Sequence, residues 1–151
     1  MKLFQIEEPE GAPLSAEGPG AVVGIDIAAE SGAVAVALGG NAEILPGVDG
    51  ERRLVGDGKS DATALVALLL GLRGRAEKHL QRPVTHAVIA ADAPDDEARR
   101  MIEAAARAAG LEPLRLLGRS AASAFAANAA REDRAALGAA LVAEDLAPRA
   151  D

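Results

Sequence analysis

Asp26 and Asp92 are the acidic residues of this sequence best placed for chemistry. Asp26 stands near the end of the run Ala21-Val-Val-Gly-Ile-Asp-Ile27, and Asp92 directly follows Val84-Thr-His-Ala-Val-Ile-Ala-Ala91, so each carboxylate falls where a buried strand gives out. Oxygen donors in such places suit a hard cation such as Mg²⁺. Two of them at neighbouring strand ends would be half of the set that holds two metals for phosphodiester hydrolysis. Asp95, Asp96 and Glu97 are near enough in sequence to add to it, but acids ahead of an amphipathic stretch are also what a helix N-terminus favours. The plainer reading of Asp26 is a solvent-facing acid at a strand–turn junction. Lys59 follows Gly56-Asp57-Gly58 and on its own reads as a turn residue. Arg119 cannot act as a base, because a guanidinium stays protonated. It is instead a candidate to pair with Asp26 or Glu30. His79 and His86 fall on different elements, a helix surface and a strand, and are not read as catalytic. There is no cysteine, and neither a nucleophile-elbow nor a Walker A sequence occurs.

Composition removes several function classes. Aromatic residues make up 1% of the chain, Phe4 and Phe125, so single-stranded nucleic acid has no rings to stack on. A net charge of -7 argues against a footprint for a phosphate backbone. Zero Cys excludes a disulfide framework and thiolate metal sites, and two His leave little for zinc. The longest apolar run, Ala62 to Leu72, is too short to span a bilayer, and the N-terminus lacks the pattern of a secretory signal. A cytoplasmic location is therefore expected. Alanine is the commonest residue at 37 of 151, so the core is expected to be built from small side chains, Val, Leu and Ile.

Elements capable of positioning these residues emerge from periodicity. Residues 1–20 carry charge, Pro and Gly without a sustained period and are expected to form a flexible leader. Ala21–Ile27, Gly32–Leu38 and Ala42–Leu45 read as three strands of an antiparallel meander, the last two joined through Gly39-Gly40-Asn41. Arg53-Leu-Val55 is a further short extended piece. Ser60 or Asp61 caps a helix over about 61–80, with Leu65, Leu68, Leu69, Leu72, Ala76 and Leu80 at helical spacing. Residues 84–91 form the fourth strand. Asp95 or Asp96 opens a second helix, ended by Gly110. Leu114–Leu117 is the fifth strand. Ser120–Ala130 is helical, and Asp133–Leu146 continues it or forms another helix. The order β-β-β-α-β-α-β-α predicts an α/β fold, a mixed five-stranded sheet with right-handed crossovers, as in the ribonuclease H-like module. That module hosts many activities, so it does not choose one.

The residues go further than the order. Gly24-Ile25-Asp26-Ile27 ahead of Gly32-Ala-Val-Ala-Val36 resembles the first phosphate loop of Hsp70 chaperones, Gly-Ile-Asp-Leu-Gly-Thr-Thr before a Val-Ala-Val strand. Gly40-Asn-Ala-Glu-Ile-Leu-Pro46 is similar to that family's glycine turn and Glu-Ile-Ile-Pro strand. Arg53-Leu-Val-Gly-Asp57 with Lys59 resembles its Leu-Val-Gly-Asp-Ala-Ala-Lys segment, and Pro83-Val-Thr-His-Ala-Val-Ile89 its Val-Thr-Ala-Val-Ile-Thr-Val-Pro strand. Ala98-Arg-Arg100, Ala108-Ala-Gly-Leu111, Leu114–Leu117 and Ser120–Ala127 continue in order. The resemblance covers about residues 21–130 and implies the first lobe of the actin-like nucleotide-binding domain, shortened.

It implies site residues too. Asp26 would face the magnesium of bound ATP through water, Ala28, Ala29 and Glu30 would stand in the phosphate loop, Lys59 at the γ-phosphate, and Arg119 where the family places a water-orienting glutamate. The departures fall on these working positions. Both loop hydroxyls are gone, Ala28 replaces a glycine, Glu30 puts a negative charge where polyphosphate would sit, and Gly118-Arg119-Ser120 replaces Asn-Glu-Pro. The expectation is a single domain over 21–147 with a tail at 148–151, and an Hsp70-like lobe with ATP/ADP and Mg²⁺ as possible ligands. Nucleotide binding would be weak or absent, with no ATPase activity unless a protein partner or second copy completes the cleft. A non-catalytic interaction module with an exposed apolar face is the alternative, and a nuclease built on Asp26 and Asp92 a more distant one. No nucleic-acid or membrane partner is expected.

Overall fold

The computed structural model describes residues 20–28, 31–45, 62–93 and 95–147. Residues 1–19 of the leader, Ala29, Glu30, the Arg53–Val55 piece, Lys59, the cap candidates Ser60 and Asp61, and the tail fall outside the described residues.

Three strands come first: β1 (Ala21–Ala28), β2 (Ser31–Leu38) and β3 (Asn41–Ile44). They are antiparallel neighbours, as expected of a meander. The turn between β2 and β3 has Gly39 at φ +62° and Gly40 at φ +84°, the left-handed pair that a tight hairpin needs and that glycine adopts without steric cost. Helix α1 (Ala62–Leu80) leads to β4 (Val84–Ala91), and α2 (Asp96–Ala108) to β5 (Glu112–Leu117). Both later strands run parallel to β1, so the sheet is mixed, in the order β3-β2-β1-β4-β5. Then come α3 (Arg119–Ala124), a 3-10 turn at Arg131–Asp133, and α4 (Arg134–Leu146). The α/β class, the five-stranded mixed sheet and the element order all agree with the sequence.

Two boundaries differ from the pattern by more than one residue. Strand β5 begins at Glu112, two residues early, and carries Pro113 inside it. Proline donates no ladder bond, but β5 is an edge strand and its pairing with β4 shifts register beside Pro113. Helix α3 stops at Ala124, although alanine dominates through Ala130. Short helices are held by burial of a face rather than by propensity, and this stretch has no apolar stripe: Phe125 is 58% exposed.

Helices cover both faces of the sheet. Leu65, Leu68, Leu69 and Leu72 of α1 and Ile102, Ala105 and Ala106 of α2 pack on Val23, Ile25 and Ile89. The side chains of β1 alternate, so Val22 and Gly24 turn to the opposite face, where α4 lies with Ala135, Ala139, Ala140 and Ala143. Arg73 fastens α1 to its surroundings by donating from Nε to the Val84 carbonyl at 3.1 Å and from Nη1 to the Ala109 carbonyl at 3.0 Å. Among the described residues the exposed large apolar side chains are Leu38 on β2, Leu70 on α1 and Phe125 in the turn after α3. No helix of the described residues is long and apolar enough to cross a membrane.

Candidate functional site

Strand register brings the candidate residues together. Asp26 pairs with Ala90 of β4, and Ala90 pairs with Leu117 of β5. Asp92 lies two residues beyond Ala90, and Arg119 two beyond Leu117. With period-2 alternation all three belong to one face, at the carboxyl ends of three parallel neighbours. That edge is where open α/β sheets bind ligands.

Asp26 is the buried charged residue among those described, at 5% exposure. A buried carboxylate must be paired and hydrogen-bonded. Arg119 meets the requirement in bidentate fashion: Nε donates to Oδ1 at 2.7 Å and Nη2 to Oδ2 at 3.1 Å. The two planar forks match, which makes this pair stronger and more directional than a Lys contact would be. Asp92 fixes the other end of the same residue, since its Oδ1 accepts from the Arg119 backbone N–H at 3.1 Å. Hydrogen bonding to Asp26 raises the Arg119 pKa above its ordinary value; partial burial opposes this, and the charges of Asp26 and Asp92 add to it. Arg119 is therefore a permanent cation.

Of the two pairings open to Arg119 in the sequence, the structure makes the one with Asp26. Ala28 closes β1, while Ala29, Glu30 and Lys59 lie outside the described residues. The acids after Asp92 serve the helix: Asp95 is the N-cap of α2, its Oδ1 accepting from Ala98 N–H at 2.9 Å, and Asp96 and Glu97 occupy the first turn. Among the described residues no group of three or more acidic, His or Cys side chains could hold a metal ion. His79 sits 4.0 Å from Glu43, and His86 Nδ1 is 2.7 Å from Thr85 Oγ1, both away from the site.

The donor chemistry decides whether Mg²⁺ fits here. Both oxygens of Asp26 are already engaged by a guanidinium, so a cation at Asp26 would have to displace a tethered positive charge. The residues present do not fit the metal. Asp92, which the sequence offers as half of a metal pair, instead has its carboxylate accept from the Arg119 backbone N–H, a role that only the β4–β5 register could have disclosed.

No curated protein matches this chain. The family model described as "Hsp70 protein" matches residues 59–137, just over half of it. The matched span runs from before α1 into α4 and includes Asp92 and Arg119, while Asp26 precedes it. Because that match covers more than half of the chain, and takes in β4, β5 and the Asp92 and Arg119 part of the strand-end site, this chain belongs to the Hsp70 family.

Proposed function

We propose that this protein is an Hsp70-type lobe that does not hydrolyse ATP alone and binds nucleotide weakly or not at all. The observation that carries this reading is the bidentate Arg119–Asp26 pair. Phosphoryl transfer rests on positioning and on charge stabilisation, with a group that orients the attacking water. By resemblance Asp26 would face the metal and residue 119 would orient water. Here the first is neutralised by the second, and a guanidinium cannot take a proton. Glu30 and the missing loop hydroxyls weigh in the same direction by sequence. The working role left to such a lobe is that of a non-catalytic protein-interaction module, with a protein partner or a second copy, in the cytoplasm.

Calorimetry of the purified chain with Mg-ATP and Mg-ADP, beside light scattering for the oligomeric state, tests the proposal. The expected result is no heat of binding below millimolar nucleotide. Sub-millimolar binding, or turnover by the isolated chain, would overturn it.

A further inference from the structure

We infer that Arg119 is a built-in counter-ion that takes the place of a divalent cation at Asp26, so that this strand-end junction is assembled without metal. The inference rests on the reading above only in treating Asp26 as a position from which a cation has been displaced. Three observations carry it. Asp26 is buried, so removing its partner leaves an uncompensated charge. Both its oxygens are satisfied by one fork whose residue is held from behind by Asp92, so the guanidinium arrives pre-aimed. It is also covalently tethered, arriving from the β5–α3 junction at a high effective concentration that a free ion does not have.

Charge balance determines how the junction responds when the tether is cut. Asp26 and Asp92 carry two negative charges and Arg119 one positive. Without Arg119, two carboxylates share one edge, which is the donor chemistry a hard cation takes. Cation dependence should therefore be absent in the wild type and appear in its variant.

Thermal unfolding of the full chain, without nucleotide, in EDTA and in millimolar MgCl₂ or MnCl₂, reads this directly. The wild-type midpoint is expected to be the same in all three. Arg119→Ala is expected to melt about 10 °C lower in EDTA, given the size of broken buried pairs and a chain of this length, and to regain much of that loss in MnCl₂. The double variant Asp26→Asn/Arg119→Ala should not respond to the cation, and Arg119→Lys should stay insensitive. Where Arg119→Ala fails to fold, Arg119→Met keeps the aliphatic stem, and Mn²⁺ binding is read from water proton relaxation at low temperature. A wild-type midpoint that rises with Mn²⁺, or Arg119→Ala and Arg119→Met variants that ignore the cation, would overturn the inference. Tight Mg-ATP binding by a wild type whose melting ignores cations would sink the functional reading and leave the role of Arg119 standing.

Discussion

The two faces of the sheet are buried by opposite means. Under α1 the contact is made by volume: Leu65, Leu68, Leu69 and Leu72 reach down onto Val23, Ile25 and Ile89. Under α4 it is made by proximity: Ala35, Ala136 and Ala140 meet with almost no side chain between them, and a methyl added at Gly24 would fall on the backbone of Ala139 and Ala140. The same happens one layer out, where a methyl on Gly138 would fall on the Ala122 carbonyl. Both faces exclude water, but the atoms that fill the contact differ. The leucine face can lose atoms and leave a cavity. The alanine face has backbone where a flexible side chain would otherwise yield, so it cannot accept them.

The largest effect should come from adding atoms to the alanine face. Gly24→Val and Gly138→Val each press a branched side chain into main chain that has no alternative rotamer. Each is expected to cost more than about 4 kcal/mol, the size associated with overpacking that displaces backbone. Urea unfolding should show the folded baseline lost or nearly so. If either variant unfolds close to the wild-type midpoint, α4 is not held by backbone proximity and the contrast between the faces fails.

Removing atoms from the leucine face should come next. Leu69→Ala deletes a fully buried side chain and should cost about 3 kcal/mol, within the usual span for leucine truncation. The same experiment on the other face has little to remove: Ala139→Gly should cost about 1 kcal/mol, mainly through helix propensity. Denaturant midpoints at constant m-value check both. Equal losses at the two positions would show that the faces are not packed differently.

The one charge buried on the alanine face, among the described residues, gives a third test. Asp26→Asn keeps the shape but leaves the Arg119 fork without its carboxylate. The cost of a fully buried broken pair is about 3–5 kcal/mol, and the 36% exposure of the Arg119 side chain brings this below that range, because water reaches the guanidinium. Denaturant unfolding of this variant should give about 2–3 kcal/mol. A neutral result would mean that the pair is no more than a surface contact.

The same contrast separates what the sequence could disclose from what it could not. The leucine face was legible because Leu65, Leu68, Leu69 and Leu72 repeat at helical spacing and β1 and β4 are continuous apolar runs. The pairing of Arg119 with an acid was legible too, since a cation at a strand end seeks a carboxylate there, but the sequence left Asp26 and Glu30 both open and the structure supplies Asp26. The alanine face was legible in composition but not in arrangement. The alanine-rich stretch 119–130 carries no periodic signal, so the end of α3 at Ala124 depends on what that stretch can bury. The start of β5 ahead of Pro113 depends on the strand being an edge, which is a property of the assembled sheet. The sequence offers Asp92 only as a distant candidate metal donor and gives no sign of its actual role, because the backbone N–H that it accepts from lies 27 residues away.

The smallest expected effect concerns how the thin alanine layer is pinned at its rim. Glu144, near the C-terminus of α4, accepts from Gly39 N–H at 2.5 Å and Gly40 N–H at 2.9 Å. Its carboxylate thus takes the two donors that the β2–β3 turn leaves outside the ladder. A carboxylate near a helix C-terminus is disfavoured by the helix dipole, so this position makes sense only through those hydrogen bonds. Both are exposed, and water replaces them when they are lost. Glu144→Ala should therefore cost about 1 kcal/mol or less. Glu144→Gln keeps one acceptor oxygen and should fall between Glu144→Ala and the wild type. Amide hydrogen exchange at Gly39 and Gly40 separates a local tie from a global one: faster exchange at these two amides, with no more than that small loss of global stability, is expected. If the whole of α4 exchanged faster as well, the proximity packing would depend on this rim contact, and the alanine face would be the less stable half of the molecule.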